Sequence, residues 1–164
     1  MALYLVPSVT EGEERLAIIA EARSWVGTPY HENAAVKGAG VDCGMLPLMV
    51  FSTVGLIEFC DPRPYPSQWH LHQKAERYLE LVLGYAREVE SPKPADLVMF
   101  KIGHTYSHAA IVVEWPTCVI HANGKECQYD DPSSCTLFQR LIKNGPPRFF
   151  SVWPRQSRSV LARE

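Results

Sequence analysis

From Glu11 to Trp25 the apolar positions Leu16, Ile18, Ile19, Ala22 and Trp25 recur close to every 3.6 residues, with acidic residues in the first turn. That spacing predicts an amphipathic helix. Gly27, Thr28 and Pro29 end it, and the next dozen residues, with Gly38 and Gly40, are expected to form a loop brought close to a neighbour. The apolar run VDCGMLPLMVFSTVGL is long for a strand and predicts a buried helix stopped near Gly55, with Asp42 as its N-cap. Pro62, Pro64 and Pro66 in CDPRPYPS forbid regular structure and mark a surface connection. A further helix is expected from about Gln68 to Leu83.

After Pro92 and Pro94 the period changes. Asp96 to Lys101, Ser107 to Glu114 and Cys118 to His121 are short β-branched and aromatic runs separated by turn signals. Glu114-Trp115-Pro116-Thr117 suits a hairpin turn, and Arg148 to Trp153 reads as a last strand. Helices followed by antiparallel strands predict an α+β domain. The pattern gives one domain over residues 1–154, with 155–164 as a flexible tail poor in large apolar residues.

Composition narrows the classes. A chain of 164 residues with 46% hydrophobic residues suffices for one buried core. A net charge of -2 supplies no field that would gather nucleic acid or anionic lipid, so neither is expected as a partner. The opening MALYLVPSV lacks a basic leader and stops at Pro7, short of the roughly 20 apolar residues of a membrane span. No signal peptide or anchor is expected, and synthesis in a reducing cytoplasm follows as the default. Five cysteines cannot all pair within one chain, so at least one thiol stays free.

Cys43 follows the Asp42 cap and is expected in the first turn of the buried helix, where backbone N–H groups and the helix dipole stabilise an anion. With a histidine nearby, such a position lowers a thiol pKa and makes a nucleophile. His108 stands at the start of the strand SHAAIVVEW and His121 closes the strand CVIH, so a hairpin would put both on neighbouring strands. One would serve as base towards Cys43 and the other would hold its tautomer. Taken singly, a cysteine packs as a small hydrophobe and a histidine as a satisfied surface or core residue.

The segments GTPYHENAAVKGAGVDCG, PADLVMFKIGHTYSHAAIVVEW and VIHA resemble, in order and spacing, the three motifs of the NlpC and p-sixty type cell-wall cysteine peptidases over about Arg23 to Asn123. The loop HENAAVKGAGVDC and the stretch DPRPYPSQWHLH look like the branch found in bacteriophage and prophage tail gene clusters. The resemblance implies a papain-like fold with Cys43 as nucleophile, His108 as general base and His121 as orienting residue. It places Tyr30, Asp42 and Gly44 at oxyanion and substrate-binding positions, and it implies no metal or cofactor. The implied substrate is the peptidoglycan stem peptide, cut between a D-γ-glutamyl residue and a diamino acid, and the implied setting is the cell wall, reached on a phage or prophage tail. The chain departs from the family pattern in having Gly44-Met45 where Ser-Gly is common and His31 with a longer loop where Trp-Gly-Gly is common. Pro47, lacking an N–H, removes a helix bond to the Cys43 carbonyl.

Other readings stand beside this one. Cys118, His121, Cys127 and Cys135 are metal-ligand types, but their spacing lacks the close pairs of common zinc sites. His70 and His72, two apart on a predicted helix, do not face each other. A tail-assembly component using the same fold for docking is the main alternative to catalysis, and thioester transfer to an acceptor other than water is a third.

Overall fold

The computed structural model describes residues 9–65 and 76–154. Its helices are α1 (Glu11–Ser24), α2 (Met45–Thr53), α3 (Arg77–Leu83) and α4 (Thr136–Asn144). Its strands are β1 (Ala35–Val36), β2 (Gly40–Val41), β3 (Arg87–Val89), β4 (Leu97–Ile102), β5 (Thr105–Glu114), β6 (Cys118–Asn123), β7 (Glu126–Asp130) and β8 (Arg148–Ser151). The class is α+β, as the sequence pattern predicts.

α1 begins at a reciprocal cap. The Thr10 hydroxyl accepts the Glu13 N–H, and the Glu13 carboxylate accepts the Thr10 N–H. α2 stops where expected, with Gly55 at φ +82° just beyond its end, a conformation open to glycine at little cost. The segment between Gly27 and Asp42 is not the plain loop expected. Ala35–Val36 and Gly40–Val41 pair as a small antiparallel hairpin turned by Gly38 at φ +80°. Of the helix expected over Gln68 to Leu83, Arg77–Leu83 is present, and the part with His70 and His72 lies outside the described residues. The tail 155–164 lies outside them as well.

The main sheet is antiparallel in the order β3-β8-β4-β5-β6-β7. Its two faces are covered by different helices. Leu97, Met99, Ala109, Ile111, Ile120 and Ala122 join the core made with α1 and α2. Val98, Phe100, Ala110, Val112 and Val119 form a second cluster around Phe138 of α4. This alternation is the period of two that puts successive side chains on opposite faces. Besides β1 and β2, three further elements went unforeseen. β3 is a short edge strand on β8, β7 follows an Asn123-Gly124 turn, and α4 carries Phe138, Leu141 and Ile142 at helical spacing.

Candidate active site

β2 delivers the chain to Asp42 at its end, and α2 starts at Met45, so Cys43 lies just ahead of the helix rather than within its first turn. The N-cap position is Gly44, which has no side chain to offer, and Asp42 does the capping from two residues upstream. One carboxylate oxygen, Oδ1, accepts the N–H groups of Gly44 at 3.0 Å and Met45 at 2.8 Å. The other, Oδ2, accepts the Asn33 N–H at 2.8 Å and the Tyr65 hydroxyl. Asn33 and Tyr65 also clasp each other through two bonds of 3.0 Å between the Asn33 amide and the Tyr65 backbone. The longer loop after His31 and the proline-rich segment are thereby tied together at Asp42, next to Cys43.

Pro47 has the effect its chemistry requires. The Cys43 carbonyl, deprived of its helical N–H, instead meets the Tyr78 hydroxyl of α3 at 3.3 Å, with the Gly44 carbonyl at 3.4 Å from the same oxygen.

The thiol of Cys43 is not the lowered one the sequence predicts. Burial pushes its pKa up to about 12, with the Asp42 carboxylate adding to the rise, against the N–H groups of Ala109, Cys43 and Gly44. The main physical reason is the loss of water around the sulfur; the Asp42 carboxylate, which already caps the start of α2, adds a negative charge nearby. Sγ lies 3.6 Å from the Ser107 carbonyl oxygen. Ser107 is the residue that the β4–β5 register skips between Phe100↔His108 and Lys101↔Tyr106. The β5–β6 ladder ends at Ile111↔Ile120, so the beginning of β5 parts from β6 where the sulfur approaches. Cys43 therefore sits against the backbone on either side of His108.

His108 and His121 share the sheet face covered by α4, with ring centroids 6.1 and 4.9 Å from Phe138. Nε2 of His108 is 2.9 Å from Nδ1 of His121, and the rings meet edge to face. His121 is fully buried, and burial lowers its pKa against the opposing pull of Asp130. Its Nε2 lies 3.0 Å from Oδ2 of Asp130 on β7. His121 pairs with Gln128 in the β6–β7 register, so Asp130, two residues on, projects from the same face as a diagonal neighbour. Burial raises the Asp130 pKa, but hydrogen bonds from His121, Gln128 and Cys135 outweigh it, and the net shift is downward.

Tyr30 is half-buried, with its N–H on the Lys125 carbonyl at 2.8 Å. Burial and the neighbouring Cys43, Asp42 and Glu32 push its hydroxyl pKa well up, so it stays a proton donor. All five cysteines are free thiols, and among the described residues no group of three or more ligand-type side chains is placed to hold a metal ion. Among them, too, no helix is long and apolar enough to cross a membrane.

No protein-family model matches the chain, and no curated protein does. Solved structures do match. The NlpC/p60 domain of the peptidoglycan hydrolase SagA superposes with a TM-score of 0.52 at 20% identity, over 83% of this chain and 96% of that one. The fold is papain-like. The same papain-like arrangement is found in an NLP/P60 family protein, similar to a lipoprotein, from Staphylococcus aureus subsp. aureus Mu50. That match has a TM-score of 0.58 at 23% identity, over 90% of this chain and 44% of that one, so this chain spans under half of it. Within the papain-like frame the sequence reading missed Asp130, Tyr65, Asn33 and Tyr78. Only the Asn123-Gly124 turn, which predicts the hairpin carrying Asp130, left a local signal.

Proposed function

We propose that the chain is a cell-wall cysteine peptidase of the NlpC/p60 kind, hydrolysing an amide bond in peptidoglycan stem peptides. The observation that carries this reading is the 2.9 Å contact between His108 and His121, at the point where Cys43 Sγ meets the backbone flanking His108. With Nε2 of His108 engaged by His121, Nδ1 is the nitrogen for the thiol. The solved peptidoglycan hydrolase with this fold supports the substrate class. The bond between a D-γ-glutamyl residue and a diamino acid follows from the motif resemblance.

The resting thiol is neutral, so attack and proton transfer go together. Cys43 Sγ adds to the amide carbonyl carbon while its proton passes to Nδ1 of His108. The C–N bond then breaks as that proton goes to the leaving amine, leaving a thioester. Water attacks the thioester, His108 takes its proton and returns it to Sγ, and the acid is released. The Tyr30 hydroxyl and the Cys43 N–H are assigned to the developing oxyanion. Asp42, with four acceptor bonds already made, is assigned to holding the Cys43–Gly44 turn rather than to binding substrate.

Association with a phage or prophage tail is proposed from the loop after His31 and the stretch from Asp61.

The test is digestion of peptidoglycan fragments by the wild type and Cys43→Ala, with products read by mass spectrometry. The wild type should release fragments cut within the stem peptide, and the variant should be slower by roughly 10³ or more. A wild type that cuts nothing but binds a tail protein would replace hydrolysis with the docking role.

A further inference from the structure

The candidate site does not end at the second histidine. Asp130 Oδ2 lies 3.0 Å from His121 Nε2, and His121 Nδ1 lies 2.9 Å from His108 Nε2, so a carboxylate and two rings stand in line from the edge strand β7 to the base. We propose that Asp130 is a positioning residue that sets the tautomer of His108 through His121. This rests on the peptidase reading for its catalytic consequence, but not for its structural one.

The argument follows from what each atom can do. An ionised carboxylate only accepts, so His121 must carry its proton on Nε2. A neutral imidazole has one N–H, so His121 Nδ1 is then a lone pair. It can only accept, and His108 must donate from Nε2. His108 Nδ1 is thereby left as the acceptor nitrogen, the form required of a base towards Cys43. When the thiol proton arrives at Nδ1, the protons on both Nε2 atoms stay where they are. The imidazolium so formed keeps its Nε2–H on His121, with the Asp130 charge at the far end. His121 is fully buried and its ring lies 4.9 Å from Phe138, so it cannot rotate to another partner without disturbing the α4 face.

Asp130 is itself held. Gln128 Nε2 donates to the same oxygen at 2.8 Å, and Cys135, at the N-cap of α4, adds a further hydrogen bond. Asp130→Asn keeps the shape but can present an N–H to His121 Nε2. The chain of donors then reverses, and His108 ends with its proton on Nδ1. An analogous carboxylate-to-amide change in serine peptidases costs about 10⁴ in kcat by the same tautomer error.

The experiment is nitrogen-15 NMR of histidine-labelled wild type and Asp130→Asn near neutral pH, alongside peptidoglycan kinetics. The wild type should show both His108 and His121 as Nε2–H tautomers, and the variant should show Nδ1–H at both. kcat should fall by roughly 10² to 10⁴ with KM within about twofold. Wild-type His121 protonated on Nδ1, or a variant with unchanged tautomers or unchanged kcat, would overturn the proposal. The wild-type spectrum decides alone if the variant does not fold. The predicted tautomers in a protein that cuts no peptidoglycan would refute the peptidase reading and leave the tautomer chain standing.

Discussion

Cys43 keeps its proton in the resting protein because burial and the Asp42 carboxylate outweigh three backbone N–H groups. With the pKa pushed up to about 12, the thiol is held protonated at pH 7. Alkylation by iodoacetamide, followed at the Cys43 peptide by mass spectrometry, should therefore keep rising about tenfold per pH unit between pH 9 and 11. A plateau below the reference value of 9.0 would show an activated thiolate instead. The sign for stability follows from the same shift. The unfolded thiol ionises from its reference value of 9.0 while the folded one holds its proton, so this contribution is present below pH 9.0 and is lost as pH rises towards 12. At this scale Cys43, His108 and His121 were legible as candidates, since the motifs bring reactive residue types to element ends. The direction of the Cys43 shift was not, because burial, its larger cause, arises only in the folded chain, and the Asp42 charge adds to it.

The elements around Cys43 meet at a proline. Pro47 offers no N–H to the Cys43 carbonyl just ahead of α2, and the Tyr78 hydroxyl of α3 meets that carbonyl from outside. Tyr78→Phe should cost about 1 kcal/mol in urea unfolding in the wild-type background. With Pro47→Ala, which restores the N–H at position 47, the same change should cost measurably less. Equal costs in both backgrounds would mean that the tyrosine hydroxyl does not compensate for the proline. The sequence predicted α1, α2 and the strands β4, β5, β6 and β8, because each carries its own period. β1, β2 and β3 escaped because two or three residues are too few to show one. β7 is poor in β-branched residues and owes its state to pairing with β6, a tertiary effect.

Across the whole molecule, α1 is fastened to the sheet through its capped N-terminal end. Arg15 meets buried Asp96 at 3.0 Å and lies 4.0 Å over the Trp153 ring, while the Trp153 indole N–H donates to Glu14 at 2.6 Å. Arg15→Ala should cost about 3 kcal/mol, since it strands the Asp96 charge, and Arg15→Ala with Asp96→Asn should recover part of that loss. Thermal unfolding of the three proteins checks this. No recovery in the double variant would assign the loss to the Trp153 contact. By itself the sequence determined the order of helices and strands, the single candidate nucleophile and the two candidate histidines, because periodicity and motif spacing are local. Only the tertiary structure decided that Asp130 stands behind His121, that Tyr65 and Asn33 close over Asp42, and that the thiol stays protonated. Each of these depends on strand register, on loop docking or on burial, and these arise only when distant segments meet.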